Sequence, residues 1–138
     1  VSGNLVLFEA GLIPDAVASV TAVTPKRSRS LKTPYGNIHW LTVPRSSVFI
    51  GTYAVKDPPG YIRATTEKAL LDQLYIIRYT PQSYSLWQAF ILEDLRIDKD
   101  ALESLDLTSM YELGRTYKSP KIIKHIKWFQ KYLGIPNK

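Results

Sequence analysis

The order of local patterns along the chain predicts an α+β fold, with a small, mostly antiparallel sheet in the N-terminal half packed with helices from the C-terminal half. Short β-type runs bounded by Pro and Gly fill the chain up to residue 64, and helical periodicity follows from residue 66. Strands followed by helices are typical of a sheet covered by helices. Because 138 residues is near the commonest domain size, we expect residues 1–138 to form a single domain.

The N-terminal half predicts a helix end and a series of short strands. Residues 4–10 resemble a helix tail, closed by Gly11 and Pro14. Pro34 and Gly36 are a turn signal, since Pro fixes φ and Gly adopts positive φ at little cost. The strands predicted are residues 20–24, 37–43, 47–50, 52–56 and 61–64, the first pairing with the second around a basic loop and the fourth with the fifth.

The C-terminal half predicts four helices. Thr65 and Thr66 can each accept a hydrogen bond from first-turn amides of the first helix, and Glu67 suits the positive end of its dipole. Ser119 as cap and Pro120 in the first helical position mark the start of the last helix. The helices predicted are residues 66–78, 85–96, 99–113 and 120–133.

The charges are segregated along the chain. Residues 16–56 carry six bases and no acid, residues 113–138 carry seven bases and no acid, and residues 57–112 carry ten acids against five bases. This distribution indicates surfaces that attract a polyanion or a charged partner, although ordinary solvated faces would give the same counts. The candidate nucleic-acid or partner-binding residues are Lys26, Arg27, Arg29 and Lys32 in the basic loop, and Lys121, Lys124, Lys127 and Lys131 on the polar face of the last helix.

The search for chemistry favours a protein that is not an enzyme. The chain has no Cys, which excludes disulfides and thiolate sites, and His39 and His125 have no second ligand at metal spacing. Lys68 and Asp72 stand four apart, and we interpret them as an exposed ion pair on a helix. We expect no catalytic residue, metal or cofactor. A nuclease centre is the rival hypothesis, with carboxylates drawn from Asp57, Glu67 or Asp72.

Other features of the chain concern its location and extent. No apolar run approaches a membrane span and no leader pattern is present, so we expect a cytoplasmic protein without membrane contact. The chain starts at Val1 with the pattern of a helix tail, and Met110 is its only Met. We therefore expect a longer natural polypeptide. Of the aromatic residues near the basic loop, we expect Tyr35 and Trp40 to serve the core rather than to stack on bases.

Five segments together resemble a known family. They are GLIP at 11–14, VTAVTPKRSR at 20–29, KTPYGNI at 32–38, FIG at 49–51 and ATTEKALLD at 64–72. Their order and spacing resemble the C-terminal domain of the AbiEi antitoxins of type IV toxin-antitoxin systems, over residues 2–76. Glu67, Lys68 and Asp72 lie in the most specific segment, where Thr66 replaces the family's usual Pro. Both residues suit a helix start.

The resemblance implies a non-enzymatic antitoxin and transcriptional regulator. Its functional partner would be a nucleotidyltransferase-like toxin acting on cellular RNA, with no stable complex required. The family's promoter-binding winged helix precedes this domain, so we expect an N-terminal extension that carries one. The alternatives are a basic module that binds DNA or RNA and a divergent nuclease-like enzyme.

Overall fold

The computed structural model describes residues 1–14, 19–34, 36–56 and 60–134. It confirms the α+β class, with strands in the N-terminal half and helices in the C-terminal half, and it divides the strands between two small sheets. In chain order the elements are α1 (Asn4–Glu9), β1 (Ser19–Thr24), β2 (Arg29–Thr33), β3 (Gly36–Thr42), β4 (Thr52–Val55), β5 (Tyr61–Ala64), α2 (Thr66–Ile76), α3 (Tyr84–Ala89) with a π-helical turn at Phe90–Asp94, α4 (Lys99–Glu103), α5 (Leu107–Arg115) and α6 (Pro120–Tyr132).

The first sheet has three strands in the order β1-β3-β2. β1 pairs with β3 as predicted, but the two strands run parallel, and β2 is antiparallel to β3. The chain therefore crosses the end of β3 between β1 and β2. Thr42, the last residue of β3, holds this crossing: its hydroxyl donates to the Lys26 carbonyl at 2.7 Å and its amide donates to the Ser28 hydroxyl at 3.1 Å. Part of the expected basic loop is thus a strand at the edge of the sheet.

The second sheet is the β4–β5 hairpin, and the first two residues connect it to the first sheet. The Val1 nitrogen donates to the Ile62 carbonyl, and the Val1 carbonyl accepts from the Ala64 amide, both at 2.8 Å. The Ser2 amide donates to the Thr21 carbonyl in β1, also at 2.8 Å. Val1 is therefore hydrogen-bonded to the hairpin, and Ser2 is hydrogen-bonded to the three-stranded sheet.

The strand predicted at 47–50 is wrong. The Ser47 amide donates to the Pro44 carbonyl, and the Ile50 amide donates to the Ser47 carbonyl, so the segment forms consecutive turns. Gly51 ends it with a φ of 75°, in the left-handed region that favours glycine. The run is apolar in sequence, as a buried strand is, but of its three apolar residues only Val48 is buried; Phe49 is 67% exposed and Ile50 47%.

Two helix predictions also differ from the structure. α1 begins at Asn4, after Gly3 with a φ of 67°, so residue 1 does not lie inside a helix. The helix expected at 99–113 is two helices, α4 and α5. The Asp106 carboxylate accepts from the Ser109 amide at 3.1 Å, and this cap starts a new helix where the periodicity alone predicts continuation.

The hydrophobic core is formed almost wholly by helices. α2 is its centre, with Ala69, Leu70, Leu71 and Leu74 fully buried. α1 packs on α2 from one side, and α5 and α6 pack on it from the C-terminal half. Among the described residues, no hydrophobic side chain from β1, β2 or β3 belongs to the core cluster or packs against it. The three-stranded sheet therefore lies beside the core rather than within it.

Candidate functional site

Two of the three charged residues of the ATTEKALLD segment, Lys68 and Asp72, lie inside the protein. Thr65 caps α2 by accepting from the Lys68 amide at 3.3 Å, and Glu67 is half-buried in the first turn. From this start, Lys68 and Asp72 point one turn apart into the core, and both side chains have 0% exposure. The interpretation of this pair as an exposed ion pair is wrong.

Lys68 and Asp72 form a closed cluster with Tyr117 and Ser2. The Lys68 ammonium donates to Asp72 Oδ1 and, at 2.8 Å, to the Tyr117 hydroxyl. The Tyr117 hydroxyl donates in turn to Asp72 Oδ1, and the Ser2 hydroxyl donates to Asp72 Oδ2 at 2.6 Å. Both carboxylate oxygens thus have donors, which is what a buried charge requires.

The electrostatics of this cluster follow from its burial. Burial lowers the pKa of Lys68, and the neighbouring Asp72 carboxylate opposes that change. Burial and the same carboxylate raise the pKa of Tyr117, so its hydroxyl keeps its proton. Tyr117 is 2% exposed and Ser2 is 1% exposed, so neither water nor substrate reaches the charged pair. The arrangement can hold the N-terminal segment before α1, α2 and the segment after α5 together, but it offers no reacting atom to a ligand.

His125 belongs to a second enclosed group, on α6. The Trp87 indole nitrogen donates to His125 Nδ1 at 3.0 Å, so the neutral ring carries its proton on Nε2, which has no hydrogen-bond partner among the described residues. Trp87 is surrounded by other rings, including Phe129 edge-on at 4.8 Å. Burial, with Lys121 and Lys124 nearby, lowers the pKa of His125 to about 4. His39 lies apart from this group, in β3, where its Nδ1 is 2.8 Å from the Ser30 hydroxyl.

The cations of the basic loop are all exposed. Lys26 and Arg27 lie in the crossing segment, and Arg29 and Lys32 lie on β2. The Arg29 guanidinium lies over the Trp40 ring at 4.4 Å from its centre. Trp40 is half-buried outside the core cluster, so its predicted role in the core is wrong, and Tyr35 lies outside the described residues.

The lysines of α6 divide into two kinds. Lys124, Lys127 and Lys131 are exposed as predicted, with Lys124 over the Trp128 ring and Lys131 over the Tyr84 ring. Lys121 is half-buried, and its ammonium donates to the Tyr75 and Ile77 carbonyls at the end of α2. It therefore acts as a C-terminal cap for α2, a place that favours positive charge.

The surface depressions of the described residues are shallow. A shallow depression of about 450 Å³ at the start of α6 is lined by Lys118, Ser119, Pro120, Ile123, Lys124 and Lys127. In the described part of the chain no three His, Asp or Glu side chains meet as metal ligands, and no helix there is both long and apolar enough to cross a membrane.

Sequence reasoning missed Ser2, Tyr117 and Trp87. The two partners of Asp72 are 70 and 45 residues away from it along the chain, so local spacing carries no signal for them. Asp57, a candidate in the nuclease hypothesis, lies outside the described residues. Comparison of the chain with protein-family models, with curated proteins and with solved structures found no match.

Proposed function

We propose that this chain is a non-enzymatic antitoxin domain that counteracts a nucleotidyltransferase-like toxin in the cytoplasm. The resemblance of residues 2–76 to AbiEi antitoxins supports this proposal. The observation that carries its non-enzymatic part is the enclosure of Lys68 and Asp72 in the core. Lys68 and Asp72, two of the three charged residues of the most specific segment, therefore have a structural use that explains them without catalysis.

The nuclease alternative is the weaker one for the same reason. Asp72 is one of its three candidate carboxylates, and both Asp72 oxygens already accept hydrogen bonds in a sealed site. A metal-dependent nuclease needs carboxylates that reach a metal ion and the phosphate. We expect labelled RNA and DNA to stay intact when incubated with the purified chain and Mg²⁺ or Mn²⁺. Cleavage by pure protein would contradict the proposal.

Growth rescue tests the antitoxin function directly. If the gene beside this one encodes a nucleotidyltransferase-like protein, that protein should arrest growth of a bacterial host when expressed alone. Co-expression of the full chain should restore colony counts. The matched control is Leu70→Ala, which removes a fully buried side chain and should abolish rescue through loss of folded protein. Arrest that persists although the wild-type chain accumulates in folded form would overturn the proposal.

A second candidate function is a nucleic-acid-binding module, favoured by the exposure of Lys26, Arg27, Arg29 and Lys32. If these four cations each neutralise a phosphate, log K for duplex DNA should fall against log salt with a slope of about −3.6. Replacing the four with Gln should remove most of that slope in a titration of a labelled duplex. An unchanged affinity and slope would reject nucleic-acid binding by this loop.

A further inference from the structure

β2 is an edge strand whose second side is open. In the described part of the chain it pairs with β3 alone. In an antiparallel ladder every second residue directs its N–H and C=O groups away from its neighbour. β2 (Arg29–Thr33) therefore presents a row of alternating donors and acceptors that a further strand can pair with.

One face of the three-stranded sheet is apolar and open as well. Arg29 and Leu31 on β2 stand opposite Trp40 and Ile38 on β3 and share a face with them. Val20 and Ala22 on β1 continue this outer face. Leu31 is 51% exposed, and the other apolar residues of the face are half-buried. The opposite face lies towards the body, because the buried Thr21 side chain there lies against Gly3.

The charged residues of the three-stranded sheet and of its crossing segment are all basic. Lys26, Arg27, Arg29 and Lys32 are exposed, and residues 16–56 contain no acid. Cations on an edge strand oppose pairing with neutral or basic strands, including a second copy of the same strand. They favour a strand that carries carboxylates. The edge therefore selects its partner by charge.

The chemistry of the edge fits a polypeptide better than a nucleic acid. Phosphate oxygens are acceptors only, so they would be repelled by the outward carbonyls of β2, whereas a peptide backbone matches donors and acceptors alike. Among the described residues of the sheet, Trp40 is the one aromatic ring on the outer face, and the Arg29 guanidinium already covers it. The exposed Leu31 adds an apolar contact that a phosphate chain cannot use.

We propose that β2 and the outer face form a docking surface for an extended acidic segment of a partner protein, which adds to β2 as a fourth strand. The segment alternates apolar and acidic side chains: the apolar ones share the outer face with Leu31, the acidic ones share the opposite face with Lys32, and the other three cations add longer-range attraction. This inference goes beyond the proposed function and stands on the edge and its charges alone, whether or not the chain neutralises a toxin.

A labelled peptide tests the proposal on the full chain. The probe is a fluorescein-labelled peptide of about ten residues in which Glu and Val alternate, measured by fluorescence anisotropy. Two further forms are N-methylated, one at every Val and the other at every Glu. Alternate residues of an added strand direct their amide hydrogens towards β2, so one of the two methylated forms lacks the hydrogens that would bond to β2. That form should bind at least about tenfold more weakly than the parent peptide. Equal binding of all three forms, or no binding of the parent at about 1 mM, would overturn the proposal.

Variants with equal charge loss locate the site. Lys26→Gln, Arg27→Gln, Arg29→Gln and Lys32→Gln together should weaken peptide binding at least about tenfold. The matched control changes four exposed lysines around α6, with Lys118→Gln, Lys124→Gln, Lys127→Gln and Lys131→Gln, and should stay within about threefold of wild type. Equal losses in the two variants would mean a general charge effect and would reject the edge.

Two further measurements separate a strand partner from a polyanion. Leu31→Ser keeps every charge and should still weaken the peptide about threefold or more, since it removes the apolar contact. A labelled single-stranded oligo(dT) of similar charge should bind more weakly than the peptide. Tighter binding of oligo(dT), together with no effect of Leu31→Ser, would assign the surface to nucleic acid and overturn the proposal.

Discussion

The helical body and the three-stranded sheet use charged residues in opposite ways. In the body, Lys68 and Asp72 are fully buried and pair with each other. Lys68 also donates to the Tyr117 hydroxyl, and Asp72 accepts from the Ser2 hydroxyl. In the sheet, Arg29 and Lys32 are exposed, and no acid of the surrounding sequence balances them. A sequence segment rich in charge therefore says nothing by itself about function. What distinguishes the two regions is whether the fold already supplies partners for the charge.

The difference extends to packing. α2 has four fully buried apolar side chains at the centre of the core, whereas no described side chain of the three-stranded sheet belongs to that core. Substitutions in the body should therefore change the free energy of unfolding strongly, and substitutions on the sheet should change binding with little effect on folding.

The largest expected effect is that of Asp72→Asn. It leaves the buried Lys68 ammonium without its counter-charge, and removing one partner of a buried ion pair costs about 3–5 kcal/mol. Chemical denaturation measures this directly. Asp94→Asn is the matched control because Asp94 is exposed, and it should change stability by less than about 0.5 kcal/mol.

The pH dependence of Asp72→Asn gives a second readout. In this variant the folded state would hold Lys68 neutral, while the unfolded chain binds the proton up to a pKa of about 10.4. Because the unfolded state then binds more protons, stability rises with pH, and the deficit should shrink between pH about 7 and about 10. A deficit that is constant over this range would mean that Lys68 stays charged without Asp72.

The next largest effect is expected from acid, which should destabilise the body by protonating His125. Its pKa of about 4 in the folded protein lies below the ordinary value of about 6.5, so the unfolded chain takes up the proton first as the pH falls. The contribution of neutral His125 to the free energy of unfolding is fully present above pH about 6.5 and is lost as the pH falls towards about 4. The total loss should be about 3 kcal/mol. His125→Gln removes this titration. Denaturation at several pH values should show a smaller acid loss in the variant, and equal losses would place the acid sensitivity elsewhere.

Tyr117→Phe should have a smaller effect. It removes the hydroxyl that accepts from Lys68 and donates to Asp72 but leaves the ion pair, and an unmade hydrogen bond of buried groups costs about 1–3 kcal/mol. Tyr111→Phe is the matched control, since Tyr111 is on α5 and is 41% exposed. Thermal melts of the two variants should differ. Similar melting temperatures would show that the Tyr117 hydroxyl adds nothing to the cluster.

The smallest effect is expected on the sheet. Replacing Lys26, Arg27, Arg29 and Lys32 with Gln should change stability by less than about 1 kcal/mol, because all four are exposed. The change should favour the variant slightly at low salt, where like charges repel, and should vanish as salt screens them. A large loss of stability would mean that these cations support the fold. The sheet and the helical body would then not differ in how they use charged residues.

The sequence alone predicts the elements whose signals are local. Thr65 and Glu67 mark the start of α2, and Ser119 and Pro120 mark the start of α6, because capping depends on residues within one turn. The strand predictions at 20–24, 37–43, 52–56 and 61–64 correspond to β1, β3, β4 and β5, because short β-type runs bounded by Pro and Gly are also local signals. The exposure of the basic loop is predictable too, since four cations in seven residues have no sequence neighbours to pair with.

Only the tertiary structure decided where the charges of α2 lie and how the first sheet is connected. A Lys and an Asp four residues apart meet on any helix, so their spacing is the same on a surface and in a core. Their burial depends on Ser2 and Tyr117, which reach them across 70 and 45 residues of chain, and a sequence pattern carries no information about such distant contacts. The parallel pairing of β1 with β3 likewise depends on the crossing held by Thr42. Local patterns specify turns and caps, whereas burial of a polar group is decided by the partners that distant segments bring to it.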